Sequence, residues 1–460
     1  LVAATGGERV CGSADAEFSG IGIDSRAIEP GAVFVALRGE RHDGHRFAPA
    51  VVDGGVRGLV VARDALPELP LDRWRSAGAV CVAVADTTRA LGALAAYQRR
   101  RAGVEVAAIT GSNGKTSTRV LTAAVLEREF SVLATRGNFN NEIGLPLTLF
   151  RLAPDHQWAV LELGMNHPGE IGRLAAICAP RVGVILNIGP AHLQGVGSME
   201  GVLRAKAELV EGMPPGGPAV LNADDPRLRR LGAELDRPVT WFGRSPAADV
   251  RAEAEAEGGT GLAFTLVLPD GRVPVRLPLV GRFQVLNALA AAAVGHLAGL
   301  DPETIAAGLS SGRPETGRMV PIDTRRGIHL IDDTYNANPA SLAAAVETLV
   351  AMAPPGRRVL VMGDMLELGP EAPALHREAG ARAAAAGVDR LLARGALAEE
   401  VAAGAREAGL PADRAVTGAP EALVAELTAT LRAGDWVLVK GSRGMAMERI
   451  LNPLREWADR

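Results

Sequence analysis

Lysine is almost missing from this chain. Of its 49 lysine and arginine residues, only Lys115, Lys206 and Lys440 are lysines. On a solvated face the two cations replace one another at little cost, so a bias toward arginine strips lysine from the surface and leaves it where a guanidinium cannot serve. An ammonium is a compact point charge with three rotatable donors and can lose its proton when buried, whereas a guanidinium is planar and stays charged. The three lysines are therefore the first candidates for chemistry.

Other scarcities narrow the class. Aromatic residues make up 3% of the chain while Gly, Ala and Val abound, which suits layered α/β architecture and not a β-sandwich. The three cysteines, Cys11, Cys81 and Cys178, are odd in number, widely spaced and in no CxxC pattern. They read as buried thiols in a reducing cytoplasm, not as a disulfide framework or a zinc site. No apolar run reaches the roughly 18 residues that span a bilayer. The nearest, LAAAAVGHLAGL at 289–300, contains His296, is interrupted by glycine and reads as a buried helix. A net charge of −4, with no basic block and no aromatic residues interleaved with basic ones, argues against nucleic acid as a partner. The chain opens on Leu1 and not on Met, so a short preceding stretch is expected.

At 460 residues, with roughly 100–200 residues per domain, about three domains are expected. Composition breaks at YQRRRAG (97–103) and SSGRPETGR (310–318), which read as linkers, and at RAEAEAEGGTG (251–261), which reads as a loop or hairpin inside a domain. The implied domains are 1–102, 103–313 and 314–460. In the second, the apolar runs VEVAAIT, QWAVLEL, RVGVILNI, PAVLNA and VTWFG alternate with helical patterns; GIHLIDD, RRVLVMGD, DRLLARG and DWVLVKG do the same in the third. Such alternation implies βαβ units and doubly wound parallel sheets, whose ligands sit beyond the carboxyl ends of the strands.

Lys115 lies in AAITGSNGKTST (107–118), where a strand ends at Thr110, a glycine turn follows, and Lys115 and Thr116 open a helix. Backbone N–H groups of such a turn cradle phosphates, the lysine reaches the terminal ones and the threonine hydroxyl holds Mg²⁺. Ile109 stands where the full G-x-x-x-x-G-K-[ST] pattern has its first glycine, so the loop is the shorter T-G-x-x-G-K-T. Gly111, Ser112, Asn113, Gly114, Lys115, Thr116 and Ser117 are the expected nucleotide-binding residues. Glu162 ends the strand AVLEL beside this loop, as a carboxylate that holds Mg²⁺ against phosphates does. His192 follows another strand end after a Gly-Pro turn, either as a ligand or as an ordinary histidine. Lys440 and Arg443, in VLVKGSR, suit a substrate carboxylate, with a structural role for Lys440 equally open.

Taken together, TGSNGKT (110–116), GNFNNEIGLPLTL (137–149), ELGMNHPGEI (162–171), NIGPAHLQGVGS (187–198) and AKAEL (205–209) resemble the Mur ligase family, ATP-dependent amide ligases of peptidoglycan precursor synthesis. The first segment, through DSRAIEPGAVFVALRGERHDGHRF (24–47), is similar to a uridine-nucleotide-binding α/β domain of that family. In the last, DDTYNANPASL (332–342), VMGDMLELG (361–369) and VLVKGSRGMAMERI (437–450) are similar to the member that joins D-alanyl-D-alanine to UDP-N-acetylmuramoyl-tripeptide.

The resemblance implies a central P-loop-type domain, a C-terminal Rossmann-like domain that carries the amine substrate and closes on ATP, and a cytoplasmic monomer. It implies that Lys206 is carbamylated by CO₂, becoming an anion that helps Thr116, Glu162 and His192 hold two Mg²⁺ ions; arginine cannot be so modified. Lys115, Glu162, His192, Lys206 and Arg318 become the catalytic set, with Arg318 on the γ-phosphate, Asn287 facing adenine and Asp333 holding the ribose. Ser25, Arg26, Asn138, Asn141, Asn336, Lys440 and Arg443 fall to the substrates.

A neighbouring ligase that adds diaminopimelate or lysine carries D-N-P-R in its last domain and D-Y-A-H-T-P where this chain has DDTYNANP. Neither is present in the last segment, and DDPR at 224–227 lies in the middle one. Folylpolyglutamate synthetase shares the loop but lacks the uridine-binding domain, and a binding subunit without turnover has little need of a carbamylatable lysine.

Overall fold

A computed structural model describes residues 1–39, 42–190, 193–258, 261–353 and 356–460. Among the described residues the strands form three sheets of five, nine and six strands, in an α/β arrangement.

The first sheet runs in the order 8–11, 80–84, 58–62, 32–35 and 20–22, antiparallel at its first pair and parallel elsewhere. Its inner strands, Ala32–Val35, Gly58–Ala62 and Val80–Val84, are buried along their whole length, as continuous apolar runs in a sheet covered on both faces must be. Cys11, Cys81 and Cys178 are buried and free, and burial pushes the thiols of Cys81 and Cys178 up to about 12.

The expected linker at 97–103 is instead the end of a helix, Thr87–Ala102. Asp86 caps its start by accepting from Thr88 and Arg89 N–H groups, and Gly103 in the left-handed region ends it. The three arginines of the last turn, which look non-periodic in sequence, complement the helix dipole; Arg100 and Arg101 are exposed and Arg99 is half-buried.

The middle sheet has the order 271–277, 261–268, 250–258, 239–243, 219–222, 182–185, 105–110, 158–162 and 132–134. Seven of these strands are parallel, and the last two in the sequence, Gly261–Leu268 and Gly271–Leu277, add on antiparallel. The sheet is therefore mixed and not wholly parallel. RAEAEAEG at 251–258 lies in Val250–Gly258, the last of the seven parallel strands and the first arm of the hairpin with Gly261–Leu268; its early alternate residues are buried, consistent with the period-2 pattern of its Ala and Glu residues. Helices Lys115–Leu126 and Phe283–Leu297 fill one face of the sheet, and Glu170–Cys178 and Met199–Glu211 the other. The run at 289–300 is the buried core of the second of these helices.

The last sheet runs 320–323, 329–333, 436–440, 358–363, 390–394 and 415–417, with only the first strand antiparallel. Helix Pro302–Ser311 stops at Gly312, and 312–319 joins this sheet to the middle one.

Candidate active site

Strand 105–110 sits between 182–185 and 158–162. The chain thus turns to opposite sides after it, and the loops at 111–114, 163–169 and 186–190 meet at one sheet end, the switch point where α/β sheets bind ligands. Thr110 donates its hydroxyl to Leu163 O at 2.9 Å. Asn187 grips the loop from the other side: its backbone O accepts from Ser112 N at 3.1 Å, its Oδ1 from Asn113 N at 2.9 Å, and its Nδ2 donates to Asn113 O at 3.1 Å. Ser112 exchanges hydrogen bonds of 2.9 Å with the backbone of Gly189. Gly114 precedes the helix with no capping side chain, so the first-turn N–H groups are left for an anion.

Lys115 donates to Gly111 O at 2.8 Å, back across its own loop. Burial holds its pKa below the ordinary lysine value, Glu162 opposing that shift and Arg318 adding to it. Gly114 has φ +85°, and a Cβ there would run into Asn287 Oδ1. Gly114→Ala is expected to weaken ADP binding about tenfold, since a side chain held at such a φ costs on the order of 1–2 kcal/mol. Calorimetric titration checks this; unchanged affinity would mean the loop does not cradle phosphates.

Glu162 is buried at the end of its strand. Its Oε2 accepts from Thr116 Oγ1 at 3.0 Å and its Oε1 from Asn140 Nδ2 at 2.9 Å. Arg318, from the segment joining the last sheet, donates Nη2 to the same Thr116 hydroxyl at 3.2 Å. A file of contacts thus runs from the last unit through Thr116 to Glu162. Arg318 lies 3.9 Å over the ring of Tyr335, and the next residue, Met319, has φ +51°, an uncommon conformation.

Thr116 and Glu162 offer hard oxygens side by side, and no cluster of three or more His, Cys, Asp or Glu exists among the described residues. That donor set fits Mg²⁺, which takes one or two protein oxygens and completes its shell with phosphates and water. His192 lies outside the described residues.

The remaining candidates divide. Asn138, Asn141, Asn336, Asp333 and Lys440 line, with the phosphate loop and Arg318, one cleft of about 480 Å³. Asp333 was expected to hold a ribose, but its carboxylate is buried and committed, accepting from Lys440 Nζ at 2.5 Å and Met319 N at 3.2 Å. Lys440 also donates to Asn336 O at 2.9 Å; the carboxylate it binds is the chain's own. Asn141 caps the helix Gly144–Leu149 through Gly144 N at 2.8 Å, and it is the neighbouring Asn140 that reaches Glu162.

Asn287, expected to face adenine, also lines the cleft, beneath the loop, with both ends of its amide engaged by Thr118 at 3.3 Å and Gln284 at 2.7 Å. Arg443 is exposed and pairs with Glu448 at 3.1 Å. Ser25 and Arg26 belong to the first unit, where Arg26 is exposed and pairs with Asp24. None of these last three lines the cleft. Sequence reasoning passed over Asn187, Asn140 and Asn338, the last donating to Asn113 Oδ1 at 2.7 Å across the two units.

Lys206 is 2% exposed, on the helix Met199–Glu211. Burial, with the charge of Lys115 adding to it, drives its pKa well below the ordinary lysine value. Among the described residues no acceptor is in hydrogen-bond or ion-pair reach of its Nζ. Two residues on, Glu208 accepts from Gly169 N at 2.6 Å and Gly172 N at 2.9 Å, pinning the start of the helix Glu170–Cys178.

Comparison with known proteins follows the same three units. Residues 17–99 match the Mur ligase family catalytic domain, 109–295 the Mur ligase middle domain and 317–443 the Mur ligase glutamate ligase domain. The chain is 40% identical to the UDP-N-acetylmuramoyl-tripeptide–D-alanyl-D-alanine ligase of Escherichia coli (strain K12), over 96% of this chain and 95% of that one. Its fold is similar to a crystal structure of MurF from Acinetobacter baumannii, with a TM-score of 0.90, 35% identity, and 99% and 98% of the two chains covered. It is also similar to MurF ligase from Thermotoga maritima in complex with ADP, with a TM-score of 0.85, 28% identity, and 97% and 99% covered.

Proposed function

The chain belongs to the Mur ligase family, and we infer that it joins D-alanyl-D-alanine to UDP-N-acetylmuramoyl-tripeptide, converting ATP to ADP and phosphate. The observation that carries this reading is the file Arg318–Thr116–Glu162, which brings the last unit onto the phosphate loop in a chain similar to ligases of that activity along nearly its whole length.

A carboxylate is a poor electrophile toward an amine. The reaction therefore begins with a tripeptide carboxylate oxygen forming a bond to the γ-phosphorus while the bond from that phosphorus to the β–γ bridging oxygen breaks, releasing ADP. The dipeptide amine then attacks the acyl carbon of the acyl phosphate, the carbon–oxygen bond to phosphate breaks, and the amine proton leaves. Neither step needs a protein nucleophile; both need alignment and charge neutralisation. The uncapped helix start and Lys115 meet the phosphates, and Arg318 approaches from the last unit to balance charge that develops in transfer. Thr116 and Glu162 would hold Mg²⁺, which supplies further neutralisation of the phosphates when bound. Docking of the last unit over the phosphate loop would keep water from the acyl phosphate. A cytoplasmic location follows from the need for ATP and a UDP-linked substrate.

Hydroxylamine tests this route. With ATP, Mg²⁺ and the tripeptide nucleotide but no dipeptide, it is expected to trap the activated carboxyl as a hydroxamate. Absence of hydroxamate in an enzyme that turns over with dipeptide would contradict the acyl phosphate.

Carbamylation of Lys206 is part of the same proposal. It is supported by burial, by a pKa depressed toward the neutral amine that CO₂ attacks, and by the lack of an acceptor among the described residues. Because burial lowers the pKa, the amine is neutral over a wider pH range than an ordinary lysine, and the carbamate is expected to be lost as pH falls and the amine takes up a proton. Lys206→Arg is expected to be inactive in any buffer. ¹³C NMR of protein held in ¹³C-bicarbonate should show a carbamate carbon in the wild type and none in the variant; no such signal in the active wild type would contradict the modification.

A further inference from the structure

Arg119 lies on the helix opened by Lys115 and is 4% exposed. A buried guanidinium must be paired, and two carboxylates lie within its reach. Its Nη2 donates to Glu315 Oε1 at 2.5 Å and its Nη1 to Thr135 O, while its Nε has no hydrogen-bond partner and lies 4.0 Å from Glu162 Oε2. Glu315 is partly exposed and sits in the segment 312–319 that ties the last sheet to the middle one. The Glu162 carboxylate accepts hydrogen bonds from neutral donors, the Thr116 hydroxyl and the Asn140 amide, and its backbone N–H donates to the Thr135 hydroxyl.

We propose that Arg119 is a positioning residue that couples the interdomain segment to Glu162: Glu315 neutralises it when the last unit is docked, leaving the Glu162 carboxylate free for a divalent cation. Without the charge of Glu315, the guanidinium has Glu162 as its only remaining carboxylate among those described here. It then competes with the cation for that carboxylate. Docking of the last unit and tight cation binding thus become one event, and the site is disarmed while the units are apart. This inference rests on the reading of Thr116 and Glu162 as the Mg²⁺ site.

The test uses the full chain with ADP and Mn²⁺ as the probe, reading free Mn²⁺ by electron paramagnetic resonance. Glu315→Gln is expected to raise the Mn²⁺ dissociation constant at least about tenfold, a lower bound for one uncompensated charge 4.0 Å from the carboxylate in a protein interior. Glu315→Asp, which keeps the charge, is expected to stay near the wild type. Adding Arg119→Met to Glu315→Gln is expected to restore binding, because the competing charge has gone.

Unchanged affinity in Glu315→Gln overturns the proposal, as does a folded double variant that remains weak, which would assign Glu315 to docking alone. If the double variant does not fold, equal loss in Glu315→Asp and Glu315→Gln overturns it in the same way. Glu162→Gln separates the underlying reading: Mn²⁺ binding that survives it would mean the cation lies elsewhere, and the failure would then belong to the metal site.

Discussion

Lys115→Met lowers kcat/KM by roughly 10³-fold in the expected result, and Lys115→Arg recovers little of it. The magnitude follows from losing a charged donor aimed at transferring phosphate in a site where water is displaced. Lys115 stands in a half-buried position whose burial depresses its pKa, and there a compact, rotatable ammonium can leave Gly111 O for a phosphate. A guanidinium is larger, rigid and planar, and the turn gives it no second geometry. Steady-state rates with ADP titrations read both parts: the account expects kcat to fall by more than ADP affinity. A Lys115→Arg enzyme near full activity would contradict it.

The second large effect is on stability. Lys440 and Asp333 face each other on adjacent parallel strands, paired in register, with side chains 3% and 8% exposed. Removing one partner strands the other charge in the interior, so Lys440→Met is expected to cost about 3–5 kcal/mol. Adding Asp333→Asn should return much of that, because the orphaned charge is gone and a hydrogen-bonding amide remains. Differential scanning calorimetry with resolved transitions is the right measurement, since a chain with three sheets need not unfold in a single step. A loss under 1 kcal/mol in Lys440→Met would show that water reaches the pair.

These two lysines illustrate what could be read in advance. Their scarcity marked them, and strand ends followed by Gly and Lys gave the place of Lys115 from local pattern alone. Nothing local told that the partner of Lys440 is a carboxylate 107 positions away, because the pairing exists only once strands 329–333 and 436–440 are neighbours. The same holds for Asn187 and Asn140. Each sits in a motif that was visible, yet which atom it grips depends on the strand order of the middle sheet. The alternating Ala and Glu of 251–258 read as a loop or hairpin, and the hairpin is present, Val250–Gly258 pairing antiparallel with Gly261–Leu268. That it extends the middle sheet was not legible, because few of its residues are strong strand formers. Arg99, Arg100 and Arg101 read as a linker because three consecutive charges show no helical period, although they form the last turn of Thr87–Ala102, with Arg99 half-buried and the other two exposed.

The most direct test of the whole account is phosphate release from ATP and Mg²⁺, measured with UDP-N-acetylmuramoyl-tripeptide and D-alanyl-D-alanine, separately and together, and with free diaminopimelate, lysine or glutamate in place of the dipeptide. The account expects steady turnover only when tripeptide nucleotide and dipeptide are both present. Turnover driven by a free amino acid on a shorter precursor, with none from the dipeptide, would contradict it.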